Sequence, residues 1–342
     1  MYKFEVIDIK DPKWELLVKS SAIYDFHHTN FYHSIDNDFQ SLMFVAENDN
    51  DFIAFPLVRR PIEGTDYVDF TSVYGYCGPI SNQLNFDLPQ EFIDFFQLKI
   101  KEYCKENHVV SLFSRLHPLI EQKSVFSNMG EILNLNKTVA IDLRLTPEEQ
   151  KKQFRKSNKS ELNQLRRKGF YVEEAATSDD INRFVEIYYE TMDRVEATPY
   201  YYFTKDYFRS FLTNTHFSNK LLLAKFEGEI VAGAIFTITD KIMQYHLAGT
   251  TEDFIKVTPM KLILDEARLT GNDLGLEFLH LGGGVGGSDE DSLFRFKSGF
   301  SDLYCQFSVW KYVFDKTKYN ELVKKNVDED RLSETFFPLY RI

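Results

Sequence analysis

The chemistry-bearing residues of this 342-residue chain are densest over positions 280–300, HLGGGVGGSDEDSLFRFKSGF. Five glycines fall within six positions there, ahead of an acidic step and the cationic segment that ends in Lys297. A glycine run is ordinarily a flexible turn. Glycine also weakens a packed element by about 0.5–1 kcal/mol relative to alanine, so keeping several beside a lysine suits backbone that approaches a ligand closely. Gly283 and Gly284 are the candidates for that approach. The acidic SDEDS that follows is a poor bed for nucleotide phosphate, which argues against a dinucleotide site.

Other candidates lie along the second half. His246 and His280 fall on expected strands, where an imidazole either hydrogen-bonds structurally or moves a proton. Arg194 follows an amphipathic helix, and its fork suits a phosphate or carboxylate; Tyr188, Tyr189 and the run 200–202 accompany it. Residues 146–169 carry Lys152, Arg155, Lys156, Lys159 and Arg166, a local positive field in an otherwise acidic chain. Residues 249–260 lead into a helix at Thr258 and Met260, and a helix N-terminus offers N–H groups to a pyrophosphate. No P-loop, zinc spacing, Ser/His/Asp order or paired-carboxylate signature is present, and no metal is expected.

The elements that must position these residues follow from periodicity. Residues 11–20 read as a helix burying Trp14, Leu17 and Val18, and 24–32 as a loop leading into a helix. Strands 42–46 and 52–58 flank a polar turn, a strand spans 67–76, a helix 88–105, and strands follow at 109–113 and 138–143. The same order recurs: strands 221–226 and 230–238, strand 242–248, a helix 258–268 capped by Thr258 with Gly271 past its end, and strand 276–281. Between the halves, residues 146–169 read as one helix capped by Thr146 and closed by Gly169, followed by a helix at 179–192. A strand at 304–314 and a helix at 316–325 end the chain. The expected fold is therefore α/β, with two similar mixed domains: residues 1–145, with a C-terminal helical segment 315–342 returning to it, and residues 146–314.

Composition narrows the function. An apolar fraction of 43% and a charged fraction of 27% are those of a globular protein, and no apolar run reaches the ~18–20 residues of a membrane span. A formal net charge of −12 argues against a general nucleic-acid coat. Three unclustered cysteines and an N-terminus without an apolar signal core fit a cytoplasmic location.

Four stretches in order resemble the FemAB family of aminoacyltransferases and their acyltransferase relatives, built from two GNAT-type domains. They are YGYCGPI at 74–80, FRKSNKSELNQLRRKGFYVE at 154–173, FVEIYYETMDRVEATPYYYFTKDYF at 184–208 and LHLGGGVGGSDEDSLFRFKSGFS at 279–301. The resemblance implies transfer of an acyl or aminoacyl group to an amine of a cell-wall or surface-polysaccharide precursor, UDP-linked or lipid-linked. The donor would be aminoacyl-tRNA or acyl-CoA, with no tightly bound cofactor, and peripheral membrane contact is compatible with such an acceptor. Lys297 matches the lysine near the transferring carbonyl, Arg194 an arginine on acceptor phosphate, and Tyr202 and Tyr245 aromatic site positions; Tyr74 lies in the aromatic Gly-Pro segment. On this reading Lys297, Tyr245 and His246 form the catalytic set. Arg194, Tyr202, Tyr74, His280, Gly283, Gly284 and Arg155 hold substrate, and Thr258 and Met260 the donor. Ser81-Asn82 stand where family ligases can carry an acidic residue soon after the Gly-Pro, and Thr146–Val172, read as a single helix, leaves no room for a helical-hairpin arm. An acyl-CoA-dependent amino-sugar acyltransferase and a non-catalytic binding module are the alternatives.

Overall fold

A computed structural model describes residues 1–35, 39–284, 291–332 and 336–342. Its strands are β1 (Lys3–Asp8), β2 (Gln40–Glu47), β3 (Phe52–Pro61), β4 (Val68–Thr71), β5 (Ile80–Ser81), β6 (Val109–Arg115), β7 (Glu131–Asp142), β8 (Tyr171–Glu174), β9 (Ser218–Phe226), β10 (Glu229–Ile238), β11 (Ile242–Thr250), β12 (Phe278–Gly282) and β13 (Leu303–Val313). Its α-helices are α1 (Pro12–Lys19), α2 (Asn30–Ile35), α3 (Gln90–Glu106), α4 (Pro147–Gln153), α5 (Lys156–Arg167), α6 (Ser178–Arg194), α7 (Lys205–Thr213), α8 (Met260–Asp273), α9 (Ser292–Lys297) and α10 (Lys316–Asn326). Two units emerge, one of Met1–Leu135 with Gln306–Ile342 and one of Asn136–Cys305. The divisions fall inside β7 and β13, where the sequence reading placed them at 145/146 and 314/315. None of the described helices is long and apolar enough to cross a membrane.

In the first unit the strand order is β1-β2-β3-β4-β6, with β13 pairing β6 through Val309–Val313. α1 lays Trp14, Leu17 and Val18 on Ile7, Met43, Val45 and Phe52, as its apolar spacing requires. The expected strand at 67–76 stops at Thr71. Beyond it the chain still follows β6, with Ser72 N–H donating to the Phe113 carbonyl and Cys77 N–H to that of Arg115. α10 and Tyr340 close over Ile62 and Val110. Beneath them Asp69, fully buried, accepts from Arg60 Nε at 2.8 Å, Tyr340 OH at 3.0 Å and Arg341 Nε at 2.5 Å.

The second unit orders its strands β7-β12-β11-β10-β9-β8, antiparallel except for β11 with β12. Its core joins Val139 and Ile141 of β7, and Leu143 just beyond it, to Ile263, Leu264 and Ala267 of α8 and Leu162 and Leu165 of α5. The helix read as continuous over 146–169 is broken. Thr146 forms its capping box with Glu149, but Phe154 and Arg155 are extended (ψ 137° and 144°) and separate α4 from α5. Phe154 turns inward onto Phe300, ring centroids 5.1 Å apart, and Arg155 N–H donates to the Gly299 carbonyl; both partners lie far off in sequence. α8 also begins later than expected. Thr258 takes a left-handed conformation (φ 57°) and does not cap it, and Gly271 lies inside it, where an added Cβ would meet Leu143 at 2.6 Å.

A candidate active site around Lys297

The second unit opens between two strands. β11 and β12 pair only over Ile242–Gln244 with Phe278–His280, so the rest of β11, to Thr250, has no β12 partner. Gln244 stands at the point of divergence. Its Oε1 accepts from His280 Nδ1 at 2.6 Å and its Nε2 donates to the Tyr245 carbonyl at 3.0 Å. His280 Nε2 lies 2.9 Å from Thr138 Oγ1. With Nδ1–H committed to Gln244, Nε2 is left to accept from the threonine hydroxyl. His280 is fully buried and both its ring nitrogens are engaged, so the expectation that it meets substrate is corrected: it holds the strands where they part.

Lys297 ends the short helix α9, whose N-terminus is capped by Asp291, its carboxylate accepting from Phe294 N–H at 2.8 Å. The lysine is 7% exposed, its Nζ donates to the Gly283 carbonyl at 2.7 Å, and it lies 5.6 Å from the Tyr245 ring centre. Burial pushes its ammonium down from 10.5 to about 7, against a smaller upward pull from Asp291. Among the described residues no carboxylate forms an ion pair with it. Tyr245 packs on Phe236 at 5.5 Å, and burial raises its hydroxyl well above the ordinary value.

Gly283 and Gly284, before this lysine, are closely packed. A Cβ on Gly284 would lie 2.1 Å from Asp291 Oδ1, and one on Gly283 3.2 Å from the Lys137 carbonyl. Gly286 and Gly287 fall outside the described residues.

Arg155 was expected on substrate. Its guanidinium instead donates to the Arg295 carbonyl at 2.8 Å and to Ser298 Oγ at 2.7 Å, while Asn158 Nδ2 donates to the Gly299 carbonyl at 2.9 Å. The first of these satisfies a carbonyl in the last turn of α9, which a short helix leaves without an intrahelical partner, and the other two fix the turn that follows it. The break between α4 and α5 is what delivers Arg155 to that helix.

The remaining expected residues disperse. His246 is the residue left over at a bulge, where Ile235 opposes Leu247 and Phe236 opposes Tyr245. It stacks on Phe211 of α7 at 4.9 Å, so it and Tyr245 pack against different elements and do not form one catalytic pair. Arg194 donates to the Thr250 carbonyl at 3.1 Å and to Thr191 Oγ1 at 3.3 Å, tying α6 to the end of β11. Tyr202 donates to Asp193 Oδ1 at 2.8 Å and stacks on Tyr189. Met260 is buried in the core, and Thr258 Oγ1 bonds the Val257 carbonyl and Glu161, so neither side chain is presented to a donor. Tyr74 lies in the first unit, 43% exposed, with the Arg115 guanidinium 5.6 Å from its ring centre.

Sequence reasoning missed Gln244 and Asn158, and in the first unit the buried set Asp25, His27, His28 and His117. The segment YDFHHTNFY does lead from a loop into a helix, α2, and only its histidine density hints at the buried cluster.

Residues 152–298 match the family model of the acetyltransferase (GNAT) domain. The crystal structure of FemX matches with a TM-score of 0.73 at 12% identity, over 93% of this chain and 99% of that one. The chain has a FemX-like fold, with an acetyltransferase (GNAT) domain over residues 152–298. L-PGS from Bacillus licheniformis matches at a TM-score of 0.58 and 16% identity, over 91% of this chain and 94% of that one. The C-terminal domain of a candidate lysylphosphatidylglycerol synthetase from Agrobacterium fabrum matches at 0.54 and 13% identity, over 84% and 88%. At such identities the likeness speaks to fold. No curated protein sequence matches the chain.

Proposed function

We propose that this tandem-GNAT transferase moves an acyl or aminoacyl group onto an amine of a cell-wall or surface-polysaccharide precursor, with Lys297 at the transferring carbonyl. The observation that carries the reading is a buried lysine with no carboxylate partner among the described residues, beside the parting of β11 and β12. A buried cation without a counter-charge is costly unless negative charge arrives during function. Attack of an amine on an ester or thioester places that charge on the carbonyl oxygen, and a positioned cation in a desolvated site stabilises it strongly. Charge arriving there also favours protonated Lys297, opposing the effect of its burial. Tyr245 supports the ammonium through its ring face, and the open edge of β11 offers backbone groups to an extended donor arm.

Two features favour an aminoacyl-tRNA donor over acyl-CoA. The link from β11 to α8 is a 3-10 helix bearing Glu252 and Asp253, and early N–H groups of α8 are already bonded, Lys261 to the Thr258 carbonyl and Leu262 to that of Pro259. That leaves little to hold a pyrophosphate. The exposed cations Lys151, Lys152, Lys156, Arg167 and Lys168 on α4, α5 and the turn after them suit a polyanion. An acyl-CoA donor for an amino-sugar acceptor is the second reading, supported by the GNAT family match.

The test replaces Lys297 by methionine, which keeps the volume and removes the charge. Transfer should fall by about 10²–10³-fold, the range for losing one oxyanion-stabilising group, while the protein stays folded. Undiminished turnover in Lys297→Met removes the lysine from the chemistry. Thermal shift of the wild type with coenzyme A thioesters, against salt-sensitive binding of tRNA, separates the donors. Silence with every donor leaves a binding module.

A further inference from the structure

One face of the second unit's sheet carries a buried polar row, and only half of that row is engaged at the parting of β11 and β12. Phe236, Met243 and Leu279 point into the core shared with α5 and α8. Side chains alternate along a strand, so Thr237, Gln244 and His280 point to the opposite face. Asn219, three residues before Leu222 of that same core, shares their face. The register sets Asn219 opposite Thr237, Thr237 opposite Gln244, and Gln244 beside His280. Polar side chains therefore stand in line across β9, β10, β11 and β12.

His280 and Gln244 bond to each other; the other half of the row is incomplete. Thr237 is fully buried, and its Oγ1 meets no hydrogen-bond partner among the described residues. Asn219 Nδ2 donates to the Phe211 carbonyl at 2.8 Å, which fixes the amide and leaves Oδ1 as a buried acceptor. That oxygen too has no partner among the described residues. Gln244 Nε2 gives one N–H to the Tyr245 carbonyl and has a second to give. Buried polar atoms are almost always paired, with protein or with ordered water. Residues directly opposite in an antiparallel pair hold their Cβ atoms about 4.5–5.5 Å apart, a span that one water bridges with two hydrogen bonds.

We propose that an internal water binds at Thr237, between Asn219 and Gln244, and positions Gln244 at the parting of β11 and β12. The water donates to Asn219 Oδ1, accepts from the second Gln244 N–H and shares a third bond with Thr237 Oγ1; about three bonds is the usual complement of a buried water. Asn219, Thr237 and Gln244 are neutral, and they offer donors as well as an acceptor, so the occupant is small and uncharged. Among the described residues no cluster fits a metal ion. With the water in place the Gln244 amide is held against turning over, which keeps Oε1 on His280 Nδ1 and Nε2 on the Tyr245 carbonyl. Tyr245, next along the strand, is the ring beneath Lys297. The water site stands apart from the transferase reading, and only its effect on turnover rests on that reading.

The test compares full-length wild type with Thr237→Val and Thr237→Ser. Water-¹⁷O magnetic relaxation dispersion reads long-lived internal waters. Thr237→Val should lose the amplitude of about one such water, and Thr237→Ser, which keeps the hydroxyl, should retain it. In ¹⁵N-histidine-labelled protein the His280 Nδ1–H signal should shift and exchange faster in Thr237→Val, because Gln244 can then turn. Unchanged dispersion in Thr237→Val, with stability equal to or above wild type, is the behaviour of an unbonded hydroxyl replaced by methyl and overturns the water site. Should Thr237→Val fail to fold, a high-resolution crystal structure of the wild type decides. Density within hydrogen-bond reach of Thr237 Oγ1 and Asn219 Oδ1 is expected there, and a direct Thr237–Gln244 bond without it overturns the proposal. A water lost while the His280 signal stays in place overturns the positioning role. In the transfer assay Thr237→Val should lower kcat about tenfold with KM little changed, and Thr237→Ser should recover it. A wild type that transfers nothing, while Thr237→Val loses the water and moves the His280 signal, refutes the transferase reading and leaves the water site standing.

Discussion

Lys297→Met should make the protein more stable at neutral pH, and the gain should fade as pH rises. In the folded chain the ammonium titrates near 7, and in the unfolded chain at its ordinary 10.5. Between those values the unfolded state holds a proton that the folded state lacks, so folding stability falls as pH drops through this window and is lowest below about 7. At about 1.36 kcal/mol for each pH unit, the whole window is worth about 5 kcal/mol. Methionine escapes that penalty but forgoes the bond to the Gly283 carbonyl, roughly 0.5–1.5 kcal/mol for the neutral amine that Lys297 becomes above about pH 7. The variant should then lead by about 3 kcal/mol near pH 7 and by almost nothing at about pH 9.5, a swing of about 3 kcal/mol. Urea unfolding of both proteins at several pH values, followed by circular dichroism, measures the difference directly. Comparing the two cancels every other titrating group. A difference that does not change with pH would refute the reasoning, because it would mean that Lys297 keeps an ordinary ammonium in the folded protein.

Two further outcomes are expected. Asp69→Asn leaves Arg60 and Arg341 without a buried counter-charge and should cost about 3–5 kcal/mol, read as a lower unfolding midpoint and earlier proteolysis of the C-terminal residues. Arg155→Lys should fail as badly as Arg155→Ala, since one ammonium cannot serve both the Arg295 carbonyl and Ser298 Oγ; turnover should drop about tenfold, at a cost of about 1.4 kcal/mol. Amide exchange at Ser298 and Gly299 should speed up in both variants, and unchanged exchange with a raised substrate KM would return Arg155 to direct binding.

Much of the chain was legible because its signals are local. Trp14, Leu17 and Val18 recur at helical spacing and line the buried face of α1, and the Thr146–Glu149 capping box closes over three residues. Strand pairs such as β2–β3 and β9–β10 announce themselves by β-rich runs about a polar turn. The site was legible only in part. Lys297 stood out as a cation beside glycines, but its surroundings, the Gly283 carbonyl and the Tyr245 ring, are assembled only by the fold. Arg155 carried the same local signature as its solvated neighbours. Only its 140-residue reach to the Arg295 carbonyl made it a clamp.

Sequence by itself determined the α/β class, the duplicated order of elements, most element boundaries, and Lys297 as the residue to watch. Each rests on periodicity, caps and turn chemistry acting over a few residues. Tertiary structure alone decided that His280 ties β12 to β11 and β7, that the helix after Thr146 breaks at Phe154, and that His27 and His117 share the buried Asp25 carboxylate, the latter across 92 residues. Those outcomes depend on which distant groups must satisfy one another once water is excluded, and no local window of residues carries that information.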